Sequence, residues 1–425
     1  MSIFLPRREF LGQSIALGAL AATGRALRAQ EAPSQQVLVG VMGMGRGRSL
    51  AQTFGNIPGV VVKYVCDTDS ERLAAGKKEI ESNTKQTPEP VSDFRKMLDD
   101  KNLDILVVAA PNHWHAPAAI LGCAAKKHVY VEKPCSHNPH EGELLVEASR
   151  VHQRAVQMGN QRRSAVGFIE AIAKLREGVI GRPYHSRSWY RNLRPETKLG
   201  KVTDPPARLD YELWQGPAPR VPYVENRLHY NWHWFWDWGN GELGNNGVHS
   251  IDISRWALGV DFPTKVVSAG GRYRYKDDQQ TPDTQTVTYE FPNGSSITWE
   301  GMSCNRHKAG FVHVYGEAGS MELDEAGGYT IYDTNDKVVE EKKARRSDTD
   351  HAMNLVAAIR NDKPLALNSE ILEGHKTTML CHLGNIAQRT GRSLACDPAN
   401  GRILNDADAM KLWKRDYEKG WEPKV

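Results

Sequence analysis

His128–Val129–Tyr130–Val131–Glu132–Lys133–Pro134 is a short apolar run closed by a charged pair and a proline. The run reads as a buried strand, and Pro134, which has no N–H to give a sheet, ends it. In an open parallel sheet such strand ends face the crevice where ligands bind. Lys133 is therefore a candidate to hydrogen-bond a substrate hydroxyl or carbonyl. Taken alone, a surface lysine after a strand is the simpler reading, and the segments on either side reverse that preference.

Working toward the amino terminus, residues 103–110 form another apolar run, broken only by Asp104 and ending at Pro111–Asn112–His113–Trp114–His115. Residues 94–98 and the Ala-rich stretch 116–126 are helical in pattern. Residues 60–65 read as a strand that ends in Cys66–Asp67–Thr68–Asp69, with a helix over 70–82. Residues 37–41 are a further strand, followed by Gly43, Gly45, Arg46 and Gly47 and a helix from about Ser49. Glycines let a backbone approach a pyrophosphate, and a helix N-terminus offers it free N–H groups. The spacing departs from Gly-x-Gly-x-x-Gly: the third glycine comes one residue early and Arg48 stands in its place. Asp67 lies 24 residues after Gly43, where a dinucleotide fold puts the acid that binds the adenosine ribose, and an acid there repels a 2′-phosphate. NAD is thus expected over NADP. An acid before a helix is also a cap, and both roles fit if Asp67 takes the ribose and Asp69 the cap. The strand–helix alternation over residues 37–160 predicts a doubly wound parallel sheet.

Working toward the carboxyl terminus, Asn160–Gln161–Arg162–Arg163 follows a strand at 155–158 and marks a hand-over between domains. Arg162 and Arg163 could reach a sugar oxygen or carboxylate, or be solvated linker arginines. A helix over 168–177 and a strand over 184–190 follow. Residues 192–230 have no clean period and read as a long insertion over the active site. Next comes Asn231–Trp232–His233–Trp234–Phe235–Trp236–Asp237–Trp238. Aromatic faces bind sugar C–H faces, which makes Trp234 and Trp236 candidate substrate contacts; a buried aromatic mini-core explains the run as well. Glycines 239, 241, 244 and 247 lead to Asn245 and His249. A helix over 248–258 places His249 in its first turn and Asp252 three residues on, where it could hold the imidazole tautomer. Residues 264–335 alternate in short segments around the hairpin turn Pro292–Asn293–Gly294, which predicts an antiparallel sheet. Helices over 348–359 and 372–387 are expected to pack on that sheet. His351, His375 and His382 fit no ligand spacing and read as structural.

The glycine turn, Ala110–Pro111–Asn112–His113–Trp114–His115, Glu132–Lys133–Pro134, and the stretch from Gly239 to Asp252 together resemble the Gfo/Idh/MocA oxidoreductases (glucose–fructose oxidoreductase and inositol dehydrogenase) over roughly residues 37–390. The resemblance implies an N-terminal Rossmann domain and a C-terminal α/β domain with a large, mostly antiparallel sheet. It also implies a nicotinamide cofactor, a polyol or sugar substrate, and a homo-oligomer formed through that sheet. Lys133 matches the family's catalytic lysine and His249 its acid–base histidine. Asn245 stands where many members have an aspartate, so a Lys–Asp–His relay is not implied, although an amide still orients a hydroxyl. Asn112 and His115 match positions lining the nicotinamide side, and Glu132 belongs to the Glu-Lys-Pro block at the same cleft.

The totals bound the remaining classes. A chain of 425 residues with 40% hydrophobic and 25% charged residues is globular and long enough for two or three domains. We divide it into residues 36–160, 161–390 and a polar tail, 391–425. A net charge of +4 without a basic stripe argues against nucleic acid. The six scattered cysteines include no Cys-x-x-Cys pair, and no metal site is expected. Residues 1–29 read as a twin-arginine signal: Arg7–Arg8, an apolar run from Ser14 to Thr23 too short for a membrane span, then small residues at 26–29. That predicts export to the periplasm after folding, with the cofactor already loaded and, away from a soluble NADH pool, tightly held. The expectation is a sugar or cyclitol oxidoreductase. The alternatives are a redox-neutral glycoside hydrolase or lyase that oxidises its sugar transiently, and a non-catalytic exported sugar-binding protein.

Overall fold

The computed structural model describes residues 36–307 and 310–425; the twin-arginine segment lies outside the described residues. Six parallel strands open the described residues: β1 (Val37–Met42), β2 (Val60–Cys66), β3 (Glu89–Val91), β4 (Ile105–Val108), β5 (His128–Val131) and β6 (Val156–Met158), in the order β3-β2-β1-β4-β5-β6. The helices between them are α1 (Gly47–Gly55), α2 (Ser70–Thr84), α3 (Arg95–Leu98), α4 (Asn112–Ala124) and α5 (Pro139–Val151). Covered on both faces, β4 is apolar and buried at every position. β3 escapes the sequence pattern because it is an edge strand, Glu-Pro-Val, with nothing to bury. α4 starts four residues before the expected Ala116: Pro111 precedes its first turn, so Asn112, His113, Trp114 and His115 are helical.

A helix α6 (Val166–Arg176) leads into the second sheet, whose strands are β7 (Pro183–Leu193), β8 (Lys265–Gly271), β9 (Thr284–Glu290), β10 (Ser296–Met302), β11 (Cys304–Asn305), β12 (Val312–Gly316), β13 (Gly319–Leu323), β14 (Tyr329–Tyr332), β15 (Val338–Lys342), β16 (Leu394–Cys396) and β17 (Ile403–Leu404). Their order is β15-β14-β13-β12-β7-β10-β9-β8-β16-β17, with β11 beside β7. The sheet is antiparallel except where β10 runs parallel to β7. Alternate residues of β9 and β10 are buried, as a sheet with one face on the core requires. Pro292–Asn293–Gly294 turns between them, Gly294 at φ +76. The helices α8 (Val248–Leu258) and α10 (Ile371–Thr390) cover that face.

Two expectations are corrected, and the choice left open for the aromatic run is decided. The helix α9 (Asp348–Arg360) does not pack on the second sheet: its Ala352, Leu355 and Val356 join Val39, Val41, Phe54 and Ile105 in the core of the first. The apolar stripe of α9 is amphipathic toward either sheet, and only tertiary contact decides between them. Residues 391–425 are not a tail. They add β16 and β17 to the sheet, bury Trp413, and set Trp421 edge-on against Trp114 with centroids 5.2 Å apart. Few but large side chains anchor an otherwise polar segment. The insertion 192–230 carries a short helix, α7 (Tyr211–Gln215), and its own core of Leu209, Tyr211, Trp214 and Ala218 with Trp232, Trp234, Phe235 and Trp238. The aromatic run is thus mainly the mini-core, each ring worth roughly 4–6 kcal/mol of apolar burial at most.

Candidate active site

A cavity of about 660 Å³ opens at the C-terminal ends of β1, β2, β4 and β5, the crevice where parallel sheets bind ligands. Its size falls within the roughly 300–1,000 Å³ usual for small-molecule and cofactor sites. At one end lies the glycine turn. Gly43 sits at φ +94, and a Cβ there would lie 2.5 Å from the Ala109 carbonyl oxygen, so β4 passes too close for any side chain. Gly45 faces the cavity, and no side chain caps α1, which leaves its first N–H groups to a ligand. Arg46 lines the wall between Glu132 (Nε–Oε1 3.1 Å) and Asp348 (2.5 Å).

Asp67 lines the same end. Its Oδ2 accepts from the Met44 N–H at 2.7 Å and its Oδ1 from the Asp69 N–H at 3.0 Å, so it also fixes the glycine turn. Asp69 caps α2 by accepting from the Glu71 and Arg72 N–H groups. It is fully buried and accepts from Arg208 Nε at 3.0 Å and pairs with His229 Nε2 at 2.9 Å. Burial pushes its carboxyl up, but the Arg72 N–H, His229 and Arg208 outweigh that and hold it below the usual range. Arg208 and His229 belong to the insertion, which is thereby latched over the β2 end; Leu213, Trp214, His229 and Tyr230 contribute to the cavity wall.

At the other end two domains meet. Lys133 Nζ donates to the Asn245 carbonyl oxygen at 2.6 Å and to Asn245 Oδ1 at 3.1 Å. Burial lowers its pKa, opposed by Glu132 and Glu242. Glu132 accepts from Arg46 and from the Lys133 N–H, so it holds the strand end as well as the cavity wall. Asn245 lies in a turn of π-helix, Leu243–Gly247, and donates to Glu242 Oε1 at 3.3 Å; Arg194 in turn grips Glu242 at 3.0 Å. The π turn runs straight into α8 and puts His249 on the cavity wall. Burial, then the positive charges of Arg162, Lys133 and Arg346, hold the His249 imidazole well below its usual range, so it is neutral at pH 7. Its Nδ1 has no hydrogen-bond partner.

The remaining expected residues sort by position. Asn112 lines the cavity and donates to Asn240 Oδ1 at 2.9 Å. His115 lies between the Pro134 and Ala110 carbonyls at 2.6 and 2.7 Å, tying α4 to the strand end that carries Lys133. Asp252 does not reach His249: both its oxygens meet Arg163 Nε, at 3.0 and 2.9 Å, and Oδ1 also accepts from Thr377. Arg163 and Asp252 thus form a buried ion pair, because a charge on the inner side of α8 needs a partner when taken out of water. Arg162 is neither solvated nor a linker; its guanidinium lies 4.5 Å from the Phe311 ring centre. Trp234 and Trp236 are off the cavity wall, the first in the aromatic cluster, the second under Arg389 at 4.8 Å. Trp232 and His233 line it instead, stacked with centroids 3.6 Å apart. Arg346 and Asp348 line it as well. Trp232 and His233 lie in the aromatic run, where nothing local tells them from Trp234 and Trp236, and Arg346 and Asp348 come more than two hundred positions after Lys133 with no local mark.

Residues 36–160 match the oxidoreductase-family NAD-binding Rossmann fold, and residues 185–423 match the C-terminal α/β domain of the same family, Gfo/Idh/MocA. Inositol 2-dehydrogenase of Salmonella typhimurium is 29% identical over 289 residues, 67% of this chain and 71% of the enzyme. A glycosyl hydrolase family 109 protein of Shewanella sp. is 30% identical over 160 residues, 36% of this chain and 35% of that protein. Among solved structures, levoglucosan dehydrogenase in complex with NADH and levoglucosan superposes with a TM-score of 0.65 at 18% identity, covering 88% of this chain and 100% of the other, a likeness of fold.

Proposed function

The chain belongs to the Gfo/Idh/MocA oxidoreductase family, and we propose that it moves hydride between a carbon of a sugar or cyclitol and a nicotinamide dinucleotide held in this cavity. The observation that carries the reading is the meeting of Lys133 from one domain with Asn245 from the other, 2.6 Å apart, in the cavity that also holds His249 and the glycine turn. The residues fit a dinucleotide: only glycine is tolerated at position 43, α1 has uncapped N–H groups, and Asp67 waits at the β2 end. When bound, the nicotinamide would accept or give the hydride.

The chain's own residues supply the rest. His249, neutral and with an open wall position, takes the hydroxyl proton as the C–H bond yields its hydride, leaving a carbonyl. The Lys133 ammonium steadies the developing alkoxide by charge, and more strongly in this desolvated end than in water. Asn245 fixes the lysine and offers an amide to a neighbouring hydroxyl. Asp67 favours NAD over NADP through its charge. The insertion latched on Asp69 favours a cofactor that stays bound, which suits the export that the twin-arginine stretch implies.

A second reading draws on the family 109 glycosyl hydrolase likeness: the sugar is oxidised, eliminates its aglycone and is reduced again in the same site. Identifying the nucleotide released on denaturation, then screening sugars and glycosides, tests both. Reduction of the bound nicotinamide by a free sugar supports the dehydrogenase. Release of sugar from a glycoside with no net change in reduced nicotinamide supports the hydrolase or lyase. A protein that neither retains nor binds any dinucleotide supports the third reading, a non-catalytic exported sugar-binding protein.

A further inference from the structure

Among the described residues four histidines line the cavity, His115, His229, His233 and His249, and hydride transfer from a hydroxyl needs only one of them. His115 is tied at both ring nitrogens to carbonyls, and His229 Nε2 is on Asp69 at the far end. His233 has a nitrogen to spare. Its Nδ1 lies 2.6 Å from the Tyr230 carbonyl oxygen, which can only accept, so the proton sits on Nδ1 and Nε2 carries a lone pair. No described residue bonds to that lone pair. His233 is partly exposed on the cavity wall, which leaves the open nitrogen within reach of a ligand. Burial, then the Lys133 and Arg194 charges, against the pull of the Tyr230 carbonyl, hold the imidazole at about 3, so it is neutral at pH 7. Packing sets the residue at the reactive end. A Cβ on Gly239 would lie 2.4 Å from the His233 carbonyl oxygen. The next residue, Asn240, accepts from Asn112 at 2.9 Å and, through its carbonyl, from the Gly244 N–H at 3.3 Å. Gly244 precedes Asn245, and a Cβ on it would lie 3.7 Å from Cγ of Pro134, the neighbour of Lys133. The Tyr230 hydroxyl accepts from Arg194, which grips Glu242, the acceptor of the Asn245 amide. The ring is clamped as well: it stacks on Trp232 with centroids 3.6 Å apart and meets Tyr230 at 4.7 Å.

We infer that His233 is a second general base, which takes the proton from the ring carbon beside the oxidised one, and that the substrate is a glycoside whose aglycone leaves from the next carbon. This rests on the reading of the cavity as a site of transient oxidation and elimination. A plain dehydrogenase needs one base. Once His249 holds the hydroxyl proton it is an imidazolium and cannot take another, so elimination needs a separate acceptor, and His233 is the neutral imidazole on the same wall. The new carbonyl makes the neighbouring C–H acidic, and the Lys133 ammonium adds to that by steadying the enolate oxygen. The proton passes to His233 Nε2, and the C–H electron pair becomes a carbon–carbon double bond. The C–O bond to the aglycone breaks, its pair stays on that oxygen, and the His233 imidazolium protonates it. Water then adds across the double bond, hydroxyl to the carbon that lost the aglycone and proton to its neighbour. The carbonyl finally takes back its hydride from the reduced nicotinamide and its proton from His249. The sum is glycoside plus water to free sugar plus alcohol, with no net redox change.

The experiment uses the purified protein in D2O with the nucleotide it retains, or with added NAD if it retains none. The probes are p-nitrophenyl α- and β-glycosides of D-glucose, D-galactose, D-mannose and their 2-acetamido counterparts, with the free sugars for comparison. At least one glycoside is expected to release p-nitrophenol, and the sugar formed to carry deuterium at the carbon beside the transient carbonyl, as proton NMR reads it. His233→Asn keeps a donor for the Tyr230 carbonyl and deletes Nε2; its folding is checked by its melting temperature. It is expected to slow release by about 100-fold or more, and single-turnover reduction of the nicotinamide by less than about tenfold. Added imidazole is expected to restore part of the release in His233→Ala. Diethyl pyrocarbonate, which acylates unprotonated imidazole, is expected to label His233, as peptide mass spectrometry shows, and to label it less when the glycoside is bound. Release without deuterium, a His233→Asn variant that slows both steps alike, no rescue by imidazole, or a His233 that stays unlabelled overturns the inference. Reduction of the nicotinamide by free sugars with no release from any glycoside overturns it too and leaves the dehydrogenase standing. Neither reduction nor release removes the redox reading and the inference with it.

Discussion

At the glycine-turn end of the cavity Asp67 gives both carboxylate oxygens to backbone N–H groups, and Asp69 is ringed by four donors. At the other end His249 keeps a bare Nδ1, and Arg346 has no ion pair with any described acid. The acids of the first region are satisfied before any ligand arrives, which suits a part that grips and does not change. The second leaves hydrogen-bonding and charge capacity unused, which suits a part whose interactions strengthen only when substrate reacts. Static and reactive ends therefore differ in what they leave unpaired, though both are made of the same residue types.

The contrast breaks most sharply at Lys133. Lys133→Met is expected to lower kcat by about 10³-fold or more while nucleotide affinity stays within about threefold; a matched fall in both would make Lys133 part of the grip. Asp67→Ala should do the reverse. It is expected to weaken NAD by roughly 10- to 100-fold through the ribose and the loosened turn, with kcat on the saturated enzyme nearly unchanged, as titration of nucleotide would show.

Acid sharpens the comparison. Burial holds His113 and His382 at about 3 and His351 and His375 at about 4, and all four are buried in the fold. The unfolded chain takes up those protons first, below about pH 6.5, so stability is full above that value and is lost as pH falls toward the folded values. The loss is on the order of 1 kcal/mol per histidine for each pH unit. His249 is lowered in the same direction, so kcat should show no acid limb near 6.5 while thermal melts over the same range already decline. An acid limb at pH 6 to 7 that vanishes in His249→Asn would place a charged imidazole at the reactive end. The smallest effect is expected from Trp236→Ala: with the ring off the cavity wall, KM for any sugar should change by less than about twofold. A larger change would return it to the substrate site.

How much of this could be read from the chain alone follows the range of each interaction. The glycine turn, Asp67, the Glu-Lys-Pro strand end and the placement of His249 in a first helical turn are local, and period and turn chemistry reveal them. Asn245 and Lys133 were expected in one cleft through the family resemblance, and the structure puts them in direct contact. Spacing along α8 puts His249 nearest to Asp252, whereas Arg163 comes to it from another element. Trp234 and Trp236 could not be told from Trp232 by composition: all lie in one aromatic run, and the backbone path alone decides which ring faces the cavity. Arg346 and Asp348 gave no signal, since a charged loop before a helix looks the same wherever it lands.

The late helix α9 has one more consequence. Val356, Leu355 and Ala352 complete a core whose other members are made some two hundred residues and more earlier. A ribosome that has released only the first sheet has therefore released it with one flank uncovered and greasy. A fragment ending near residue 160 should stick to itself or to chaperones, and the first sheet matures only after the last third of the polypeptide has arrived to roof it.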